Sequence, residues 1–230
     1  MKKTALLHDL ISLVFPTNCL ACGENLVQGE DIICLSCLYH IPKTNNQFNA
    51  ENETARRFWG KVPVVQACAF YLFEKGSVMQ KLLHALKYKG RKDIGIMLGK
   101  EIGQALKNSN QFTDIDLIIP VPLHKKRLAK RGYNQSACFG EGLASILEKP
   151  LDTQTLYRAI ENPTQTKKGV YERWENACGI FQLTKPEQLA NKHILLLDDV
   201  ITTGSTLEAC AQTLLLAKGT KVSILTIAVA

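Results

Sequence analysis

Four consecutive apolar residues, Ile194 to Leu197, run directly into two carboxylates, Asp198 and Asp199. An apolar run of this kind predicts a strand buried on both faces, as in the middle of a parallel sheet. A loop of small hydroxylated residues follows, Thr202, Thr203, Gly204, Ser205 and Thr206. Leu207, Cys210 and Leu214 then recur at helical spacing. Open α/β sheets bind ligands at the carboxyl ends of their strands. A loop entering a helix N-terminus turns backbone N–H groups outward, where the helix dipole favours an anion. The hydroxyls add donors, and Gly204 is expected to clear a Cβ from the approach of a phosphate. The carboxylates cannot bind phosphate; they suit hydroxyl groups or a Mg²⁺ shell one sugar length away. The competing reading makes Asp199 only a helix cap and the threonines only polar.

The rest of the chain agrees with an α/β domain over residues 62–230, where strand-like and helix-like patterns alternate. Strands are expected at Val62–Tyr71, Ile115–Pro120, His193–Leu197 and Val222–Val229, and helices at Asp93–Lys107, Asn134–Leu147 and Ser205–Lys218. A further helix starts at Ser77, whose capping box is completed by Gln80, and ends at Gly90. Residues 43–61 are polar and read as a linker or excursion. Leu6 to Phe15 reads as a short amphipathic helix.

Residues 1–42 hold four of the eight cysteines. Cys19-x2-Cys22 and Cys34-x2-Cys37 are separated by eleven residues, and two such knuckles complete a tetrahedral thiolate set for Zn²⁺. A module this short cannot bury enough core to fold alone, and metal binding would supply that free energy. An iron–sulfur cluster, redox thiols or unrelated buried cysteines are the alternatives. A closed four-thiolate site has no open position, so its role is structural or recognitional. Cys68, Cys138, Cys178 and Cys210 lie singly on apolar patterns and are expected in the core. The histidines show no ligand spacing, and His40, three residues after Cys37, is not expected among the ligands.

A formal charge of +7 on 230 residues is concentrated between His124 and Gln135, where Lys125, Lys126, Arg127, Lys130 and Arg131 meet no acid. A polyanion fits there, either nucleic acid or a small molecule with several phosphates; a solvated basic face is the plainer reading. No stretch approaches ~18 uninterrupted apolar residues, so no membrane span is expected. His8 and Asp9 interrupt the only segment resembling a signal peptide. A cytoplasmic location follows as an expectation, and with it cysteines that are not a disulfide framework.

The strand, paired acids and Thr-Thr/Gly/Ser/Thr loop resemble the signature of type I phosphoribosyltransferases. That resemblance implies that residues 202–206 hold a 5-phosphate. It also implies that Asp198 and Asp199 contact ribose 2- and 3-hydroxyls, directly or through Mg²⁺-bound water. Pro120-Val121-Pro122-Leu123-His124, Arg127 and Arg131-Gly132-Tyr133-Asn134-Gln135 narrow the match. Together with His84-Ala85-Leu86-Lys87-Tyr88-Lys89-Gly90 and the cysteine pairs, they are similar to the ComF family of competence-associated proteins. That family joins a four-cysteine zinc module to a phosphoribosyltransferase-like domain. Gln165, Arg173, Asn176 and Phe181 also match it, whereas Asn162 stands at the family's usual Thr.

The ligand so implied is 5-phosphoribosyl-1-pyrophosphate with Mg²⁺. Arg127 and Arg131, placed on a loop from Pro122 to Arg131 after a strand, would pair bidentately with its pyrophosphate. Residues 161–178 correspond to a loop that closes over ligand in such enzymes. Ribosyl transfer to an unassigned acceptor is one function. Single-stranded DNA binding during DNA uptake, with Tyr133 or Tyr88 stacking on bases and the phosphoribosyl site as a sensor or relic, is another. An adaptor among other competence proteins is the third.

Overall fold

A computed structural model describes residues 17–109, 111–160 and 179–230. The amphipathic segment Leu6–Phe15, the 161–178 loop and Cys178 lie outside the described residues. In chain order the elements are α1 (Leu35–Tyr39), α2 (Glu53–Arg56), β1 (Ala67–Leu72), α3 (Val78–Tyr88), α4 (Lys92–Lys107), β2 (Leu117–Pro120), α5 (Lys125–Arg131), α6 (Gln135–Leu147), β3 (Leu156–Arg158), β4 (Phe181–Leu183), β5 (His193–Ile201), α7 (Ser205–Leu214) and β6 (Lys221–Val229). Among the described residues, no helix is long and apolar enough to cross a membrane.

β1, β6, β5 and β2 form one parallel sheet in that order. Its strands are apolar on both faces, so residues of alternate parity enter two separate cores. Cys68, Phe70, Leu195, Leu197, Leu225 and Ile227 pack with α3, α4 and α6 on one face. Ala67, Ala69, Ile194, Leu196, Val222 and Ile224 pack with α7 and the β3–β4 hairpin on the other. β5 therefore lies inside the sheet with both faces covered.

Two expected boundaries move for backbone reasons. β1 starts at Ala67 rather than Val62, because Pro63 has no N–H for the ladder. β5 continues past the apolar run to Ile201, so both acids lie within the strand, in register with β6 at Asp198 and Thr226. The basic run expected as a loop from Pro122 to Arg131 contains α5 instead. His124 accepts from Lys126 N–H at 3.3 Å as its N-cap, and Gly132, at φ +81°, ends it. No residue of α5 is buried, so no apolar stripe marks it in the sequence.

Residues 43–61 fold onto the edge of β1. Thr44 N–H donates to the Phe70 carbonyl at 3.0 Å, and Asn52 donates to the Ala67 carbonyl at 2.8 Å while capping α2. Phe58, fully buried, joins the core beneath α7.

Candidate functional site

Asp198 and Asp199 stand near the carboxyl end of β5 and face opposite sides of the sheet, as neighbours in a strand must. Asp199 meets α3, where Lys87 Nζ lies 2.9 Å from its Oδ2 in a half-buried ion pair. Its Oδ1 accepts Val200 N–H at 2.7 Å. Asp198 Oδ1 accepts Ser136 Oγ–H from the first turn of α6 and Asp199 N–H, each at 2.9 Å. Burial, and then the charge of Asp199, push the Asp198 carboxyl up to about 7 against these hydrogen bonds and the Lys87 charge.

A raised carboxyl pKa has a definite sign. Between 3.8 and about 7 the folded chain holds the proton more tightly than the unfolded one, so stability falls as pH rises through that window. Asp198→Asn retains an Oδ1 for both donors and removes the charge. It is expected to raise the melting temperature at pH ~8, by roughly 1–2 kcal/mol of stability, and to give no gain at pH ~4. Scanning calorimetry at the two pH values checks it; an equal gain at both, or none at either, refutes it.

The loop after β5 presents exposed Thr202, Thr203, Ser205 and Thr206. Thr203 Oγ1 and Ser205 Oγ are 3.1 Å apart, ahead of a ten-residue helix whose first-turn N–H groups lack intrahelical acceptors. Gly204 is required for its φ of +84°. A Cβ there would face the Phe58 ring at 3.4 Å, inward, so the expectation that this glycine clears space for a phosphate gives way to a backbone reason.

The segment from Arg131 to Ser136 is a brace. The Arg131 guanidinium lies 5.8 Å from the Tyr88 ring centroid at the end of α3. The Tyr133 hydroxyl donates to the Leu86 carbonyl, and Lys92 sits 5.2 Å over the Tyr133 ring. Asn134 caps α6 through Ser136 N–H at 3.0 Å and donates to the Val121 carbonyl after β2 at 2.9 Å. Tyr133 is thus buried and hydrogen-bonded, which removes it as a base-stacking platform; Tyr88 is exposed. Arg127 is exposed on α5, and its charge acts on Arg158 at the end of β3.

Sequence reasoning missed Lys87 and Arg158 as members of the site. Arg158 lies 5.3 Å over the Phe181 ring and senses the charge of Asp198. Burial, and then Arg127, lower its pKa. Lys87 belongs to a segment already singled out, but no spacing rule connects it to an acid on a distant strand.

At the other end of the chain, the four sulfurs of Cys19, Cys22, Cys34 and Cys37 lie within 4.8 Å of one another. Cys22 Sγ and Cys34 Sγ are 3.9 Å apart. Cys19 Sγ accepts N–H groups from Ala21 at 3.4 Å and Cys34 at 3.3 Å, and Cys34 Sγ accepts from Cys37 at 3.4 Å. Gly23, at φ +83°, makes the knuckle's turn. Burial works against ionisation of Cys19, yet backbone N–H groups bring its thiol down to about 6. Burial and the neighbouring sulfurs push Cys37 up to about 12. A bound cation is what would let all four be thiolates, so this donor set fits a metal ion. His40 is occupied with the Ser36 carbonyl at 2.6 Å, outside the set. Cys68, Cys138 and Cys210 are buried.

The phosphoribosyl transferase domain model matches residues 134–230. Competence protein F of Haemophilus influenzae is 33% identical over 216 residues, covering 87% of this chain and 91% of the relative. DNA utilization protein YhgH of Salmonella typhi is 35% identical over 137 residues, 58% of this chain and 60% of the relative's length. A solved adenine phosphoribosyltransferase superposes with a TM-score of 0.39 at 18% identity, over 64% of this chain and 75% of that one. With a match over nearly the full length of competence protein F, a phosphoribosyl transferase domain and a four-cysteine cluster, the chain belongs to the ComF family.

Proposed function

We propose that the protein binds 5-phosphoribosyl-1-pyrophosphate, with its Mg²⁺, at the carboxyl edge of the sheet. The observation that carries this reading is the paired acids of β5 beside an exposed hydroxyl and amide turn at the start of α7. Thr202, Thr203, Gly204, Ser205 and Thr206 would hold the 5-phosphate, as a helix N-terminus favours. Asp198 and Asp199 would orient the ribose hydroxyls, directly or through water on Mg²⁺. Arg127 and Arg131 would take the pyrophosphate. Turnover would break the bond from C1 of ribose to pyrophosphate and form one to an acceptor nucleophile. The chain's part is to place the ribose, stabilise the departing charge and exclude water.

We infer that the ion at the cysteine cluster is zinc in a structural role, since four thiolates leave no open position. We place the protein in the cytoplasm, where unpaired thiols persist.

A second reading rests on α5, whose five cations are all carried on a helix with no buried residue, beside exposed Tyr88. The name of one relative, DNA utilization protein YhgH, favours DNA as a partner, and we place single-stranded DNA at that face. Such binding would weaken steeply with salt.

Calorimetry with Mg²⁺ and phosphoribosyl pyrophosphate separates the two. Wild type is expected to bind, and Asp199→Asn to bind at least about tenfold more weakly, a change of ~1.4 kcal/mol. Absence of binding to wild type, with salt-dependent affinity for single-stranded DNA, would favour the second reading.

A further inference from the structure

A single helix, α3, lies between the cysteine cluster and the acid pair, and it is tied at both ends. Lys81 Nζ donates to the Ala21 carbonyl at 2.6 Å. Ala21 is part of the first knuckle, and its own N–H is turned onto Cys19 Sγ. Fewer than two turns further along α3, Lys87 holds Asp199, and the Leu86 carbonyl takes the Tyr133 hydroxyl. Along this helix Met79, Leu82, Leu83, Ala85 and Leu86 are buried. They share one core with Cys19, Ala21 and Ile33 of the cysteine module. A helix packed this closely shifts as a body rather than bending.

We propose that Lys81 is a positioning residue that couples occupancy of the cysteine cluster to the setting of Lys87 against Asp199. The inference rests on the phosphoribosyl reading of the acid pair. A cation among the four sulfurs fixes the knuckle with the Ala21 and Cys34 N–H groups on Cys19 Sγ. The peptide so oriented leaves the Ala21 carbonyl facing α3. Without a cation nothing bonds the four sulfurs to one another, the knuckle opens, and Lys81 loses its acceptor. The end of α3 carrying Lys87 then loses its reference to the sheet. Linkage makes the effect reciprocal: a ligand engaging Asp199 must also tighten the binding of metal.

The test uses the full chain loaded with zinc. Lys81→Met is compared with Lys75→Met, which removes an equivalent exposed charge just ahead of α3. Thermal melting first establishes that both variants are folded. Lys81→Met is expected to weaken binding of Mg²⁺ phosphoribosyl pyrophosphate about fivefold, and Lys75→Met to leave it unchanged. The ligand is also expected to raise the chelator concentration that strips zinc at equilibrium from wild type and not from Lys81→Met. Equal ligand affinity in the two variants, with zinc affinity indifferent to ligand, overturns the coupling alone. A wild type that does not bind the ligand overturns the reading of the acid site and the coupling with it.

Discussion

Gly99→Ala is expected to destabilise the protein by about 3 kcal/mol or more, although alanine is the better helix former. Helix propensity alone would give a gain of about 1 kcal/mol, so even the sign is informative. The reason is the backbone-to-backbone packing of α4 on α6. A Cβ at Gly99 would overlap the Phe139 carbonyl and lie 2.7 Å from Leu143 N and 3.0 Å from Gly142 Cα. None of these atoms belongs to a side chain that can rotate away. The two helices would have to separate, and Phe139 and Leu143, both fully buried, would lose contacts with α4. Gly179→Ala is the control, since its Cβ would meet only Ile160 Cδ1 at 4.0 Å. Denaturant melts of the two variants decide it; a Gly99→Ala midpoint at or above wild type refutes the packing account.

Cys34→Ser is expected to empty the cysteine cluster of metal and to unfold residues 17–42 while the sheet persists. Cys34 ties the second knuckle to the first, its own N–H donating to Cys19 Sγ at 3.3 Å. Its sulfur lies 3.9 Å from Cys22 Sγ and caps α1 by accepting Cys37 N–H. The module's own buried apolar residues are few: Cys19, Ala21, Ile32, Ile33 and Ile41. Structural zinc supplies ~10 kcal/mol or more in such modules, far beyond what those side chains offset on their own. Elemental analysis should find about one zinc per wild-type chain and none in the variant. Hydrogen exchange should lose protection in 17–42 and keep it in β5 and β6. A variant that keeps stoichiometric metal, or keeps its exchange protection without it, would sink this expectation.

Much of this molecule was legible in its sequence because the informative features are local. The Ile194–Leu197 run, the acids and the hydroxyl loop follow one another in the chain, so strand, site and helix start could be read together. The Ser77–Gln80 capping signal is local too: Ser77 accepts Gln80 N–H at 3.2 Å, and Gln80 Oε1 accepts Gly76 N–H. The cysteine pairs carry their geometry in their spacing. What escaped was non-local or lacked periodicity. Lys87 is tied to Asp199 by the fold, and no window contains both. α5 presents no apolar stripe, so Lys125–Arg131 looked like a loop. β3 and β4 are three residues each, too short to show alternation. Arg131-Gly132-Tyr133-Asn134 is legible as a signature, but its work as a brace depends on the Leu86 and Val121 carbonyls, acceptors that the fold brings to it.

The order β1-β6-β5-β2 also bears on how the molecule comes into being. During synthesis β1 emerges early, yet its ladder partner β6 comes after all the other described strands. The packing of α4 on α6 can form while translation continues, whereas the sheet cannot close until β6 slots between β1 and β5. A nascent chain therefore carries the apolar β1 without its neighbour until β6 has followed, and truncation ahead of Lys221 leaves the central seam missing.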